Sequence, residues 1–230
     1  MIYVTGDTHG LHDFDKLMWF SILHPKLDKN DFVIVCGDFG GIWADDTENA
    51  LDSFSSLPFT TLFVDGNHEN YDRLGAYPVS EWNGGKVQII RSDIIHLMRG
   101  QVFRIDGKTF FTFGGAESHD KENRKYGESI WYEEVPCIDE IIEAENNLER
   151  VKWNVDFVIT HSCDTYSLLP PMIPFSRCEE MKENGILDEF EERLNYRHWY
   201  FGHYHRDENI NDRKTLLFRQ VIPIGESAEK

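Results

Sequence analysis

Five polar clusters punctuate this chain, and each lies at or just beyond the end of a short apolar run. Asp7-Thr8-His9 follows Ile2 to Thr5, Gly37-Asp38 follows Phe32 to Cys36, and Gly66-Asn67-His68-Glu69 follows Thr61 to Val64. His161 follows Phe157 to Thr160, and Gly202-His203-Tyr204-His205 follows Trp199 to Phe201. Imidazole, carboxylate and amide groups are the donors of metal centres and of proton transfer. Asp7 and His9 lie two apart and can face one way, whereas Asn67 and His68 are adjacent and diverge if the chain stays extended. One of that second pair can then face a metal while the other faces a substrate. Taken singly the clusters carry little: His-x-His is more often a pair of structural or surface histidines, Gly-Asp a turn, and His161 a core or edge histidine. Five in series, each at the end of an apolar run, are not what turn chemistry produces.

The runs predict buried strands, and the stretches between them predict what holds those strands apart. Phe14, Leu17, Met18 and Ile22 give a helical spacing over residues 14 to 23, stopped by Pro25. A second helix is expected from Thr47 to Leu57 before Pro58, others from Ile138 to Trp153 and from Glu179 to Leu194. This strand–helix rhythm predicts an α/β layering, whose strands present catalytic groups at their carboxyl ends. In the middle, residues 86–90, 94–97, 102–105 and 109–113 read as meandering or hairpin strands with turns at Asn83-Gly84-Gly85 and Asp106-Gly107. Residues 216–224 read as a last strand. Two segments, Ala116 to Cys137 and the proline-bearing Thr165 to Arg177, read as loops over the site.

With 230 residues, 40% of them hydrophobic and 13% aromatic, the chain is expected to fold as one globular domain over 1–230. It has no apolar stretch near the about 20 residues that cross a bilayer, and its N-terminal residues lack the pattern of a signal peptide. The four scattered cysteines form no Cys-x-x-Cys pair, so a reduced, cytoplasmic protein is expected. A net charge of −18 disfavours long duplex nucleic acid as a substrate.

In this order, and spanning residues 7 to 205, the five clusters resemble the signature blocks of the calcineurin-like metallophosphoesterase superfamily. The resemblance implies a four-layer α-β-β-α sandwich with two metal ions at the loop ends of its sheets. It implies that Asp7, His9 and His205 hold one ion, that Asn67, His161 and His203 hold the other, and that Asp38 bridges them. Such a cysteine-free donor set suits Mn²⁺, Fe or Zn²⁺, with Mn²⁺ the first choice by resemblance. The implied reaction is phosphate ester hydrolysis by a metal-bridging hydroxide, with His68 assisting the leaving group.

The superfamily spans monoesterases, diesterases and nucleases, so substrate stays open at this level: a phosphorylated small molecule, a nucleotide or a protein. A nuclease of short or single-stranded ends is one alternative, and a non-catalytic, metal-bearing scaffold that binds a protein is another. In the protein-phosphatase branch the Gly-Asp block continues to a second Asp and an Arg; here Gly41 and Ile42 stand in those places. Asp45 or Asp46 could supply the missing carboxylate. For phosphate, Arg73 is the first candidate and Arg124 and His119 weaker ones. Phe39 and Trp43 are candidates to stack a planar leaving group, against core packing as the plainer account.

Overall fold

The computed structural model describes residues 1–43, 47–118, 120–168 and 182–228. Its first half is laid out as predicted. Strands β1 (Ile2–Thr5), β2 (Phe32–Val35) and β3 (Thr60–Phe63) run parallel, joined through helices α1 (Asp15–Leu23) and α2 (Thr47–Ser55). After a one-turn helix α3 (Tyr71–Leu74) come β4 (Val79–Trp82), β5 (Gly85–Arg91) and β6 (Ile94–Leu97), and β6 pairs parallel with β3. The hairpin β7 (Gln101–Ile105) and β8 (Lys108–Phe113) then opens a second sheet. That sheet continues through α4 (Ile138–Arg150), β9 (Phe157–Thr160), α5 (Lys182–Arg193), β10 (His198–Phe201), β11 (Glu208–Asn211) and β12 (Lys214–Leu216). Strand β13 (Ile222–Pro223) returns to pair antiparallel with β1. The sheet orders are β13-β1-β2-β3-β6-β5-β4 and β11-β12-β10-β9-β8-β7.

Alternation along the strands builds the layers. Ile2, Val4, Ile34 and Leu62 meet Phe110, Phe157, Ile159 and Tyr200 in a core between the two sheets. The intervening Tyr3, Val33, Val35 and Phe63 face a second core against Leu17, Phe20, Leu51 and Phe54 of α1 and α2. On the far side Phe111, Val158, Trp199 and Phe201 pack on Ala144, Leu148, Leu187 and Phe190 of α4 and α5. The result is the four-layer α-β-β-α order, with both faces of the central strands buried and the strand ends left to carry polar groups.

Several boundaries differ from those the sequence predicts. Residues 216–224 are not one strand: the Asp207 carboxylate accepts from the backbone N–H of Phe218 (2.8 Å) and Gln220 (3.1 Å), which breaks the ladder and passes the chain from one sheet to the other. The helix expected to reach Trp153 stops at Arg150, because Lys152 and Trp153 adopt left-handed φ of 53° and 56°. Helix α3 and strands β4 and β11 are too short to leave a periodic signal. Both predicted turns are hairpin turns with positive φ at Asn83-Gly84 and Asp106-Gly107. Asp45, Asp46, His119 and the proline-bearing stretch from 169 to 181 lie outside the described residues.

Candidate active site

All five clusters meet at one edge of the sandwich. Asp7, Asp38 and Asn67 extend from β1, β2 and β3, while His161 and the His203–His205 pair extend from β9 and β10 of the facing sheet. The glycine that opens three of these blocks is required by close approach. A Cβ on Gly66 would collide with the Asp38 carboxylate, one on Gly37 with the His161 ring and one on Gly202 with the Asp7 carboxylate. His9, Asp38, His203 and His205 all hold left-handed φ, between 44° and 71°, which bends each strand end back toward the centre.

The donors fall into two groups. Asp7, His9, Asp38 and His205 each offer an atom within 4.8 Å of the others; Asp38, His161 and His203 do the same. Asp38 is common to both. Its Oδ2 lies 3.3 Å from His9 Nε2 and its Oδ1 3.2 Å from His161 Nε2. Asn67 joins the second group, with Oδ1 3.1 Å from the same His161 nitrogen. Asp7 Oδ2 lies 3.1 Å from His205 Nε2, yet it is buried and makes no well-formed hydrogen bond among the described residues. A buried carboxylate oxygen in that condition is costly unless a cation or proton meets it.

Each donor is aimed from behind. His161 Nδ1 donates to the Cys36 carbonyl (2.8 Å), which leaves Nε2 turned to the centre. His9 Nδ1 pairs with the Asp13 carboxylate at 2.8 Å. The amide of Asn67 donates to Ser118 Oγ (3.2 Å), which turns its oxygen inward. His205 stacks on Phe218 at 4.7 Å between centroids. Lys16, buried beneath Asp7, donates to the carbonyls of Gly6 (2.9 Å), Asp7 (2.5 Å) and Phe218. Glu69 is buried as well and accepts from the backbone N–H of Phe39 (2.7 Å) and Gly40 (3.1 Å), so it fixes the loop after Asp38.

The electrostatics follow from that crowding. Burial pushes the Asp7 and Asp38 carboxyls upward, but the histidines beside them win, and both end below the ordinary carboxylate range. Burial works against a charged His161, yet Asp38 and Asp7 raise its pKa to about 10. His68 goes the other way: burial lowers it, and the positive charge of Arg124 and the neighbouring histidines adds to that. Burial holds Glu69 well above its usual value, with the Asp38 charge adding to the effect.

His68 stands apart from the donor groups. Its backbone N–H donates to Asp38 Oδ1 (2.7 Å), its ring lies edge-on to His9 at 5.2 Å, and Arg124 Nη2 donates to its Nε2 at 3.3 Å. It opens on a cleft of about 380 Å³ lined by His9, Leu11, His12, Trp43 and the backbone of Gly40-Gly41, with no lysine or arginine among the described lining residues. Trp43 sits on this wall and packs edge-on against Trp131 at 5.5 Å. Phe39 takes the plainer role: it is fully buried and stacks on Phe63 at 4.2 Å. Arg73 is not brought to the centre. Asn70 caps α3 by accepting from the Arg73 N–H (3.1 Å), and the Arg73 side chain lines a separate cleft with Glu48 and Tyr77. Sequence reading placed Ser118 in a loop over the site but not against Asn67, and it missed Asp13 and Phe218; only the four-residue step from His9 to Asp13 leaves a local trace.

Two sheets packed face to face bring imidazoles and carboxylates together from the strand ends of both, in two groups that could each hold a metal ion. The chain belongs to the calcineurin-like phosphoesterase family, whose sequence model matches residues 1–207, and it is a phosphoester hydrolase. That family is dinuclear and metal-dependent, which suits two donor groups sharing Asp38. No curated protein matches the sequence. Among solved structures, the phosphopantetheinyl hydrolase PptH from Mycobacterium tuberculosis is similar, with 15% identity and a TM-score of 0.48 over 94% of this chain and 89% of that one. A putative 5'-nucleotidase from Staphylococcus aureus in complex with alpha-ketoglutarate is similar at 16% identity and a TM-score of 0.47, over 95% of this chain and 48% of that one. No helix among the described residues is long and apolar enough to cross a membrane.

Proposed function

We propose that this protein hydrolyses phosphate esters at a two-metal centre in which Asp7, His9, Asp38 and His205 hold one divalent cation and Asp38, Asn67, His161 and His203 the other. The observation that carries this reading is the sharing of Asp38 between two donor groups beside the buried, unsatisfied Asp7 Oδ2. When bound, two divalent cations would supply a nucleophilic water at neutral pH and the positive charge that steadies an in-line phosphoryl transfer. Mn²⁺ is our choice, with Fe or Zn²⁺ compatible with the same nitrogen and oxygen donors. The protein's own residues do the rest. Asp13, Cys36 and Ser118 hold His9, His161 and Asn67 in their productive orientations. As the water adds to phosphorus and the ester P–O bond breaks, His68, whose Nε2 accepts from Arg124, gives a hydrogen bond or proton from its other ring nitrogen to the departing oxygen, and the leaving group occupies the cleft beside Trp43. A phosphorylated small molecule or nucleotide fits a cleft of about 380 Å³. A reducing, cytoplasmic setting suits the buried thiol of Cys36.

The test is turnover of an aryl phosphomonoester and the matching diester by protein stripped with chelator and refilled with Mn²⁺, beside His68→Ala. Metal-dependent turnover that falls about 10²- to 10⁴-fold in His68→Ala, with metal content retained, is the expected result. Metal loss in step with activity would make His68 a ligand or a scaffold residue. Bound metal with no turnover of either ester would return the protein to the class of metal-bearing scaffolds.

A further inference from the structure

We propose that Arg124 is the residue that reads the phosphate, and that it makes the site selective for phosphomonoesters. The inference rests on the phosphoester-hydrolase reading and deepens it. The loop after β8 carries Arg124 onto His68, the one residue placed at the leaving group. The guanidinium is braced on two further sides: Nε pairs with Asp120 at 2.7 Å, and Nη1 donates to the Ser129 carbonyl at 3.2 Å. Its side chain is only 14% exposed. Among the described residues, three of its five N–H donors are thereby used, one of them on His68 Nε2. The remaining two donors are left on a guanidinium that is held in place against His68.

Two physical arguments turn this into selectivity. The chain carries a net charge of −18, no lysine or arginine lines the cleft among its described residues, and Gly41 and Ile42 offer no charge after Asp38. Arg124, held against His68, is therefore a side-chain cation that a substrate dianion at that residue can meet, and charge-assisted hydrogen bonds to an anionic oxygen are roughly twice as strong as neutral ones. A monoester presents a third terminal oxygen that carries charge; a diester presents an ester oxygen there, a weaker acceptor with a substituent attached. The second argument is steric. Trp131 donates to the Asp72 carboxylate (2.9 Å) and abuts Trp43, so Trp131 and Arg124 bring one loop against both Trp43 and His68. A second ester arm has to compete with that loop for space, while a single leaving group has the cleft.

The experiment compares the Mn²⁺-loaded wild type with Arg124→Ala, Arg124→Lys and Lys125→Ala, on the aryl monoester and diester and in binding of inorganic phosphate by calorimetry. Lys125 is 74% exposed and pairs with Glu128, so Lys125→Ala controls for general loop charge. We expect Arg124→Ala to lower monoester kcat/KM about 100-fold and diester kcat/KM less than 3-fold, and to weaken phosphate binding about 10-fold or more. Arg124→Lys should recover part of the monoester loss, because it restores charge without the fork. Lys125→Ala should leave the monoester-to-diester ratio unchanged. Equal losses on both esters, or none, would overturn the proposal, as would the same ratio change in Lys125→Ala. If the wild type turns over neither ester, the hydrolase reading fails separately, and unaltered phosphate affinity in Arg124→Ala would then overturn the role of Arg124 on its own.

Discussion

The strand-end cluster and the loop that leans over it are built differently. In the cluster, several of the side chains proposed as ligands are backed by buried groups or backbone: the Cys36 carbonyl behind His161 and Ser118 behind Asn67, with Lys16 under the Asp7 carbonyl. Its glycines are packed so closely that no Cβ fits. The loop from Glu117 to Val135 holds itself by partly exposed ion pairs, such as Arg124 with Asp120 and Lys125 with Glu128, and by the exposed stack of Tyr126 on Tyr132. A network at its base ties it down: Arg99 donates to Asp65 (2.7 Å), to the Tyr71 hydroxyl (2.8 Å) and to the Glu133 carbonyl (2.7 Å). The difference teaches a division of labour. Close-packed surroundings suit reacting groups that tolerate little displacement, and a loop whose outer pairings are exposed, with Arg124 braced on its inner side, suits contacts that select the substrate.

The sharpest way to break this comparison is Gly66→Ala. The added methyl meets the Asp38 carboxylate, so metal content should fall and turnover should drop at least about 10²-fold while far-UV circular dichroism stays native. Retained metal and turnover would show the cluster to be far more forgiving than its packing implies. Ser118→Ala comes next. Loss of the hydroxyl that turns the Asn67 amide should weaken metal affinity about 10-fold, seen in a competitive chelator titration. Trp43→Ala, on the cleft wall, should raise KM for an aryl ester about 2- to 10-fold and spare a small alkyl ester, with metal content unchanged. Equal loss on both esters would assign Trp43 to packing.

The smallest effect concerns the scaffold that both regions share. His198 on β10 is buried, with Nε2 2.8 Å from Thr215 Oγ1; burial, then the Arg213 charge, lowers its pKa from 6.5 to about 4. The unfolded chain therefore binds more protons between those values. Stability from this group is full above pH 6.5 and is lost as pH falls toward 4. Chelator-treated His198→Gln should lose part of the acid slope in urea melts between pH 6.5 and 4. An unchanged slope would move the acid sensitivity to other groups.

Much of this was legible in the sequence, for reasons that differ by element. Runs such as Ile2 to Thr5 and Phe157 to Thr160 are buried on both faces, and such strands announce themselves by unbroken apolarity. The donors were legible because each ends such a run. What stayed hidden depends on contacts between distant segments. Ser118 is 51 residues from Asn67, and no local pattern marks a serine for that task. The place of Arg124 against His68 depends on the path of a loop with no period, and Arg73, nearer in sequence, is turned away by the cap at Asn70. The split of the last predicted strand likewise comes from Asp207, a side chain outside the segment it breaks.

One consequence of the topology concerns timing. Asp7 Oδ1 accepts from the His203 backbone 196 residues further along, and β13 closes on β1 later still. During synthesis the early donors emerge long before the later ones that complete either group. A half-made chain thus offers only fragments of a coordination sphere, and tight capture of a cation must wait for long-range closure of the two sheets. On the proposed ligand set, metal loading would report finished folding, because both donor groups are complete only once the two sheets have met.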